Sequence, residues 1–355
     1  MPESSRNRIQ LTLSPQAARY ADRGAPQDVR RMAARGALPL EPRDLAHVLF
    51  ALAHDPDSEV GPTARESLDG LPQSILTSVL AGPAHPALLA YLAHAHRDDG
   101  SICQAVALHT DADDPTLAFL ASLPHRHVVD IISQNQERLL RSEEIVEALG
   151  SNPLTGRAVI ERILSLLGTP VEGEEDWPEA NWSEDQVIHA VLAVLDCNRP
   201  ELARAMASEK DLEEDTVKRN LFAALQNMNV LQKIKLARVG GKEARGLLVK
   251  DRNKLVASAV LASPKITESE VISMAQSRVV AEEILRIIAN QKDWPRSYGV
   301  KLALCTNPKT PRPQAVKFLN YLREKDLRTL MKSRDVPSVI ATQARRILNK
   351  KGRLQ

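Results

Sequence analysis

All nine histidines of the chain precede residue 190, and two pairs stand close together, His94 with His96 and His125 with His127. Zinc takes such side chains at i, i+4 on a helix or in a tight loop, completed by cysteine or carboxylate. Residues two apart on a helix point in different directions, so Asp98, Asp99 and Asp130 nearby do not complete a ligand set. The pairs read instead as helix-end residues, with imidazole near a carbonyl end. Gly240, Gly241 and Lys242 lack the earlier glycine spacing and the Ser/Thr of a phosphate loop. They read as a helix C-cap followed by a new helix. The acidic pairs Glu143–Glu144 and Glu282–Glu283 sit near helix starts as ordinary surface charges. No nucleophile elbow or HExxH is present. The expectation is therefore a chain with no catalytic residue, no metal site and no cofactor.

What the sequence does concentrate is positive charge. Lys233, Lys235, Arg238, Lys242 and Arg245 form one cluster, and Lys250, Arg252 and Lys254 another. Arg323, Lys325, Arg328, Lys332 and Arg334 follow, with Arg345 and Arg346 near the end. The overall charge of +2 conceals an asymmetry. Residues 1–200 carry 16 basic and 29 acidic side chains, and residues 201–355 carry 31 and 16, so the halves stand at −13 and +15. A basic ridge of this kind could neutralise phosphates along a nucleic acid. Aromatics to stack on single strands are scarce, and Tyr298, Phe318 and Tyr321 could each be core. The same charge could dock an acidic protein, or a second copy head to tail.

The elements that must carry these residues are short amphipathic helices. From Leu40 onward, apolar residues recur at helical spacing between Gly, Pro, Asn and Asp breaks. Aromatics are only 3 % of the chain while Leu and Ala dominate, which favours helix on helix over a β-sandwich. Asp211, Asn253, Asp293 and Asp335 each follow a basic residue and open a helix, at spacings of 42, 40 and 42. Helix ends rhyme as well: ALGSNPLT (148–155), VLASPKIT (260–267) and ALCTNPKT (303–310), with a weaker echo in ALHTD from Ala107. In the last of these, Asn307 and Pro308 stop one helix, Thr310 caps the next, and Pro311 lies in its first turn.

Asp55 to Leu68, with Asp55, Val60 and Ala64, resembles the second helix of a HEAT repeat, and Asp335, Val339 and Ala344 repeat the pattern. The arginine usual after the valine is Gly61 in one copy and Ile340 in the other. The stretch from Leu304 to Pro311 is similar to the leucine-rich repeat variant of bacterial proteins, whose repeats are shorter. The resemblance implies an all-α fold, an α-solenoid of HEAT-like helical hairpins with a period of about 40 residues. It implies roughly seven or eight hairpins in a right-handed superhelix, and no particular activity. An enzyme on such a scaffold, such as a DNA-repair glycosylase, would need an acid beside an aromatic wall, and Asp293 with Trp294 reads better as cap and core.

The expected organisation is a flexible N-terminal segment over 1–38 with one short helix, acidic repeats over 39–168, an acidic inserted loop over 169–182, basic repeats over 183–349, and a basic tail over 350–355. Trp177 and Trp182 flank the loop, either anchoring it to neighbouring helices or presenting it to a partner. Cys103, Cys197 and Cys305 lie far apart, each in an apolar run, as free thiols of a reducing compartment. No apolar N-terminal stretch suggests a signal peptide, and no run approaches the length of a membrane span. The functional expectation is a cytoplasmic, non-catalytic scaffold or adaptor that binds a protein partner along its repeats. The alternative is a nucleic-acid-binding module using the basic C-terminal half.

Overall fold

The computed structural model describes residues 11–22, 24–167, 182–195, 200–210, 215–333 and 335–350. Among them the fold is all-α, with no strand. By internal packing the chain divides into two units, Met1–Val159 and Ile160–Gln355.

In the first unit the helices are Pro15–Ala21 (α1), Gln27–Ala34 (α2), Pro42–Leu52 (α3), Val60–Asp69 (α4), Gln73–Leu80 (α5), Pro86–Ala95 (α6), Gly100–Leu108 (α7), Asp114–Ser122 (α8), Arg126–Ile132 (α9), Gln136–Arg141 (α10) and Glu143–Ser151 (α11). Arg157–Leu167 (α12) spans the boundary. The second unit contains Glu184–Leu195 (α13), Pro200–Ala207 (α14), Asp215–Gln226 (α15), Val230–Val239 (α16), Lys242–Leu248 (α17), Lys254–Leu261 (α18), Glu268–Gln276 (α19), Glu282–Asn290 (α20), Tyr298–Thr306 (α21), Arg312–Leu319 (α22), Glu324–Lys332 (α23) and Ser338–Lys350 (α24). A 3-10 turn, Trp294–Arg296, precedes α21.

Helices this short are marginal alone, so packing must hold them. Within each unit a helix packs on its next-but-one neighbour: α3 on α5, α5 on α7, α6 on α8, α16 on α18, α17 on α19, α19 on α21. Leu, Ala, Val and Ile fill the space between.

The repeat step is shorter than the spacing of about 40 residues that the caps suggest. Asn253 does cap α18, its side chain accepting the Leu255 N–H. Between Asn253 and Asp335, however, lie two sets of three helices, α18 to α20 and α21 to α23. Forty residues therefore span one and a half hairpins. The six pairs just named start 24 to 31 residues apart, from α16 at Val230 to α18 at Lys254 and from α3 at Pro42 to α5 at Gln73, while α13 on α16 and α14 on α17 keep the longer step.

That step is marked by a recurring polar clamp. Asn152, just past α11, donates through Nδ2 to the Ala121 and Leu123 carbonyls at the end of α8, at 2.7 and 2.8 Å, and its Oδ1 accepts the Leu154 N–H. Asn307, just past α21, does the same to Ala275 and Ser277 at the end of α19, at 2.7 and 2.9 Å, and accepts the Lys309 N–H. Ser263 Oγ donates to the Arg238 carbonyl of α16. His109 Nε2 donates to the Gly82 carbonyl beyond α5, and its Nδ1 accepts the Asp111 N–H. His125 Nε2 pairs with the Arg97 carbonyl. The last carbonyls of a helix have no partner within it, and here a side chain one repeat later supplies one. Asn152 and Asn307 precede proline, which has no N–H, so the amide oxygen takes the N–H two residues on.

Other expectations change locally. Residues 14–38 are not a loose tail: α1 and α2 seal α3 and α4 through Ala17, Ala33, Ala34, Val48, Leu52 and Ala64. Asp55 is not the cap of α4; Asp57 accepts the Glu59 and Val60 N–H groups, while Asp55 is buried against Arg30 at 2.5 Å. Ser142 stands before α11 without a side-chain cap bond, and Thr310 does not cap α22, whose N-cap is Pro311. The acidic stretch 169–181 with Trp177, the cap Asp211 and the tail from 351 lie outside the described residues.

Asn307→Ala removes three hydrogen bonds and leaves two helix-end carbonyls unmet. At about 1 kcal/mol per bond, with a further penalty for unmet buried groups, urea unfolding should show a loss of about 3 kcal/mol. Asn307→Asp should cost at least as much, because a carboxylate then faces two carbonyl oxygens.

Candidate binding surface of the C-terminal repeats

The basic candidates fall into three settings. Lys250, Arg252, Arg323, Lys325, Arg328, Lys332, Arg345 and Arg346 are exposed. Lys233, Lys235, Arg238 and Lys242 are half-buried, and Lys233 Nζ is tied to Asp251 at 3.1 Å. Burial pushes the Arg238 guanidinium below its ordinary value. Arg334 lies outside the described residues.

Arg245 is not a surface residue. It is 0 % exposed, between Glu270 and Glu209. Its Nε and Nη2 donate to the two Glu270 carboxylate oxygens at 2.9 and 3.2 Å, and Nη1 and Nη2 donate to Glu209 at 2.9 and 2.6 Å. Nη1 also donates to the Gly240 carbonyl at 2.7 Å. On α17, Arg245 stands between Ala244 and the Leu248 position three further on, both buried, so helical geometry turns it inward. Burial alone would raise the Glu270 carboxyl, but hydrogen bonds from Arg245 and Thr267 outweigh it and hold it below the usual carboxylate range. Glu270 also closes a capping box with Thr267 at the start of α19. The cluster thus joins α17, α19 and the segment after α14.

Gly241 brings these elements within reach. Its N–H donates to the Met206 carbonyl at 2.7 Å, and the Lys242 N–H to Ser208 at 3.1 Å. A Cβ on Gly241 would stand 2.0 Å from the Ser208 carbonyl oxygen, so only glycine fits. Gly240 ends α16 and Gly241 opens α17, the cap-and-start arrangement the glycine pair suggests.

At the C-terminal end, four candidates meet around one hollow. Arg323, Lys325, Arg328 and Lys332, with Glu324 and Thr329, line a recess of about 630 Å³ along α23. The Arg323 guanidinium lies 4.8 Å from the Tyr298 ring centre, and the Arg323 N–H donates to the Tyr298 hydroxyl, which bonds Asp326. Burial, with Asp326, holds the Tyr298 phenol above its usual value. Arg328 pairs with Glu324 at 2.7 Å.

Three aromatics that could each have been core separate here. Phe318 is buried and Tyr298 half-buried, while Tyr321, in the turn between α22 and α23, is 61 % exposed with Lys301 Nζ 5.4 Å from its ring centre. Asp293 and Trp294 form no acid-and-wall site: Asp293 is exposed and paired with Arg296 at 3.2 Å, and Trp294 opens the 3-10 turn.

The reactive side chains elsewhere serve the framework. Buried His47 bonds the Arg43 carbonyl through Nδ1, and its Nε2 accepts the His85 N–H; burial holds its pKa below the usual histidine value. His94 lies against the Phe119 ring. Burial pushes the Cys103 thiol up to about 11 and the Cys305 thiol up to about 12, keeping both in the inert protonated form. Among the described residues no group of three or more His, Cys, Asp or Glu could hold a metal ion, and no helix is long and apolar enough to cross a membrane. Comparison of the chain with protein-family models, with curated proteins and with solved structures finds no match.

Arg245→Met leaves Glu270 buried and unpaired, and should cost about 3–5 kcal/mol in urea unfolding, whereas adding Glu270→Leu should recover much of that loss. The pH dependence has a definite sign. A carboxyl held below its unfolded value stabilises the fold above that value and loses the effect as pH falls. The stability gap between the wild type and Glu270→Gln should therefore be constant near neutrality and close as pH drops below about 4.3.

Proposed function

We propose that the chain is a non-catalytic helical-repeat scaffold that binds a protein partner along its C-terminal repeats. The observation that carries this reading is where the chemically versatile groups go. His47, His109, His125, Asn152 and Asn307 are spent joining one repeat to the next, and the thiols of Cys103 and Cys305 are buried. The exposed charge that remains is a basic surface on short stacked helices, a form suited to contacts distributed over several repeats. A step of 24 to 31 residues lies below the 40 to 47 of HEAT arrays, which favours the shorter leucine-rich repeat variant as the nearer analogue.

A second reading, nucleic-acid binding, is favoured by the four cations around the hollow of α23. Cross-linking mass spectrometry of the full chain in its native cells separates the two. The scaffold reading predicts a recurrent protein partner cross-linked at Lys250, Lys325 or Lys332 and lost when these are changed to glutamate. Absence of any recurrent partner, with oligonucleotide retained at physiological salt, would overturn it in favour of the second reading.

A further inference from the structure

We infer that the turn between α22 and α23, together with α23, is a contact site for single-stranded nucleic acid, in which Tyr321 stacks a base and the cations of α23 take the adjoining phosphates. The inference rests on the nucleic-acid reading and gives it a place and a strand class.

A sequence-tolerant single-strand site needs an open aromatic face beside a line of cations. Tyr321 supplies the face: it is 61 % exposed, where Phe318, three residues earlier, is 4 % exposed. An exposed ring that packs no core gives the fold little, yet a base stacked on it would remove that apolar area from water. Lys325, Arg328 and Lys332 stand at i, i+3 and i+7, so they share one side of α23 and span about 10 Å of its length. Arg323 joins the turn to this line, its guanidinium held over Tyr298 and its N–H on the Tyr298 hydroxyl. All four cations line the same hollow; the acid that lines it, Glu324, pairs with Arg328, and Asp326 beside it is bonded to the Tyr298 hydroxyl. Lys301 Nζ lies over one face of the Tyr321 ring, 5.4 Å from its centre, and adds a further positive charge, so a base would stack on the opposite face. An acidic peptide would satisfy the cations but has no use for the ring. A duplex would meet the cations while its bases stay stacked within the helix.

The test is fluorescence anisotropy of the full chain with three labelled probes: a twelve-nucleotide oligothymidylate, a twelve-base-pair duplex, and a twelve-residue polyglutamate. The expected result is preference for the single strand, with Tyr321→Ala weakening it about tenfold and Tyr321→Phe restoring it. The double variant Lys325→Ala/Lys332→Ala should flatten the dependence of log affinity on log salt by about 1.4, two phosphate contacts' worth. All these residues are exposed, so the variants should fold, and their circular dichroism should match the wild type. Single-strand binding indifferent to Tyr321→Ala would overturn the site while leaving the nucleic-acid reading standing. A duplex bound as tightly as the single strand would overturn the strand assignment. Binding of polyglutamate alone would overturn both and point to an acidic protein.

Discussion

The structure depends on how short helices satisfy their last carbonyls. A helix of six to thirteen residues has a large fraction of its peptide groups in its two ends, and stacking buries those ends. An unmet buried carbonyl costs as much as a good hydrogen bond returns. Here Asn152, Asn307, Ser263 and His109 reach back one repeat to meet them, at sequence separations from 25 to 32 residues. The clamp sets the distance between packed helices as well as stabilising their ends. It ties the start of one turn to the end of a helix two or three earlier in the chain, so neighbouring repeats are coupled through polar contacts as well as through the Leu and Ala core.

This use of polar residues shapes what is left for function. His47, His109, His125, Asn152 and Asn307 are engaged with backbone, and the fully buried Arg245 holds α17, α19 and the segment after α14 with two carboxylates. Such a network is expensive to desolvate and strongly destabilising to break from one side. Among the groups that face solvent in the second unit are Lys and Arg on α23, α24 and the α17–α18 turn, and Tyr321 in the turn before α23. Framework and surface thus draw on different members of the same residue classes.

Much of the all-α architecture was legible in the sequence, because Gly, Pro and Asp punctuate each apolar run. The rhyming helix ends held more than they seemed to: His109, Asn152, Ser263 and Asn307, one in each of them, are four of the clamps. Their hydrogen-bond partners could not be read, since a partner one repeat away leaves no local pattern. Cap spacing and packing step differ because the caps Asn253 and Asp335 count three helices with their turns per interval, whereas packed neighbours in that region stand two helices apart. On α17 the apolar positions Ala244 and Leu248 do mark the buried stripe on which Arg245 lies, but its charge suggested surface. Tyr321 carried no such sign. Its exposure follows from the turn that ends α22 at Leu319, one residue after Phe318 has entered the core.

The most direct test of the clamp is native-state hydrogen exchange on Asn307→Ala. If the asparagine couples repeats, amides at the end of α19 and throughout α21 should lose protection together, although the substitution lies outside both helices. Faster exchange confined to residues 305–310, with α19 unchanged, would contradict the account and reduce Asn307 to a local turn residue.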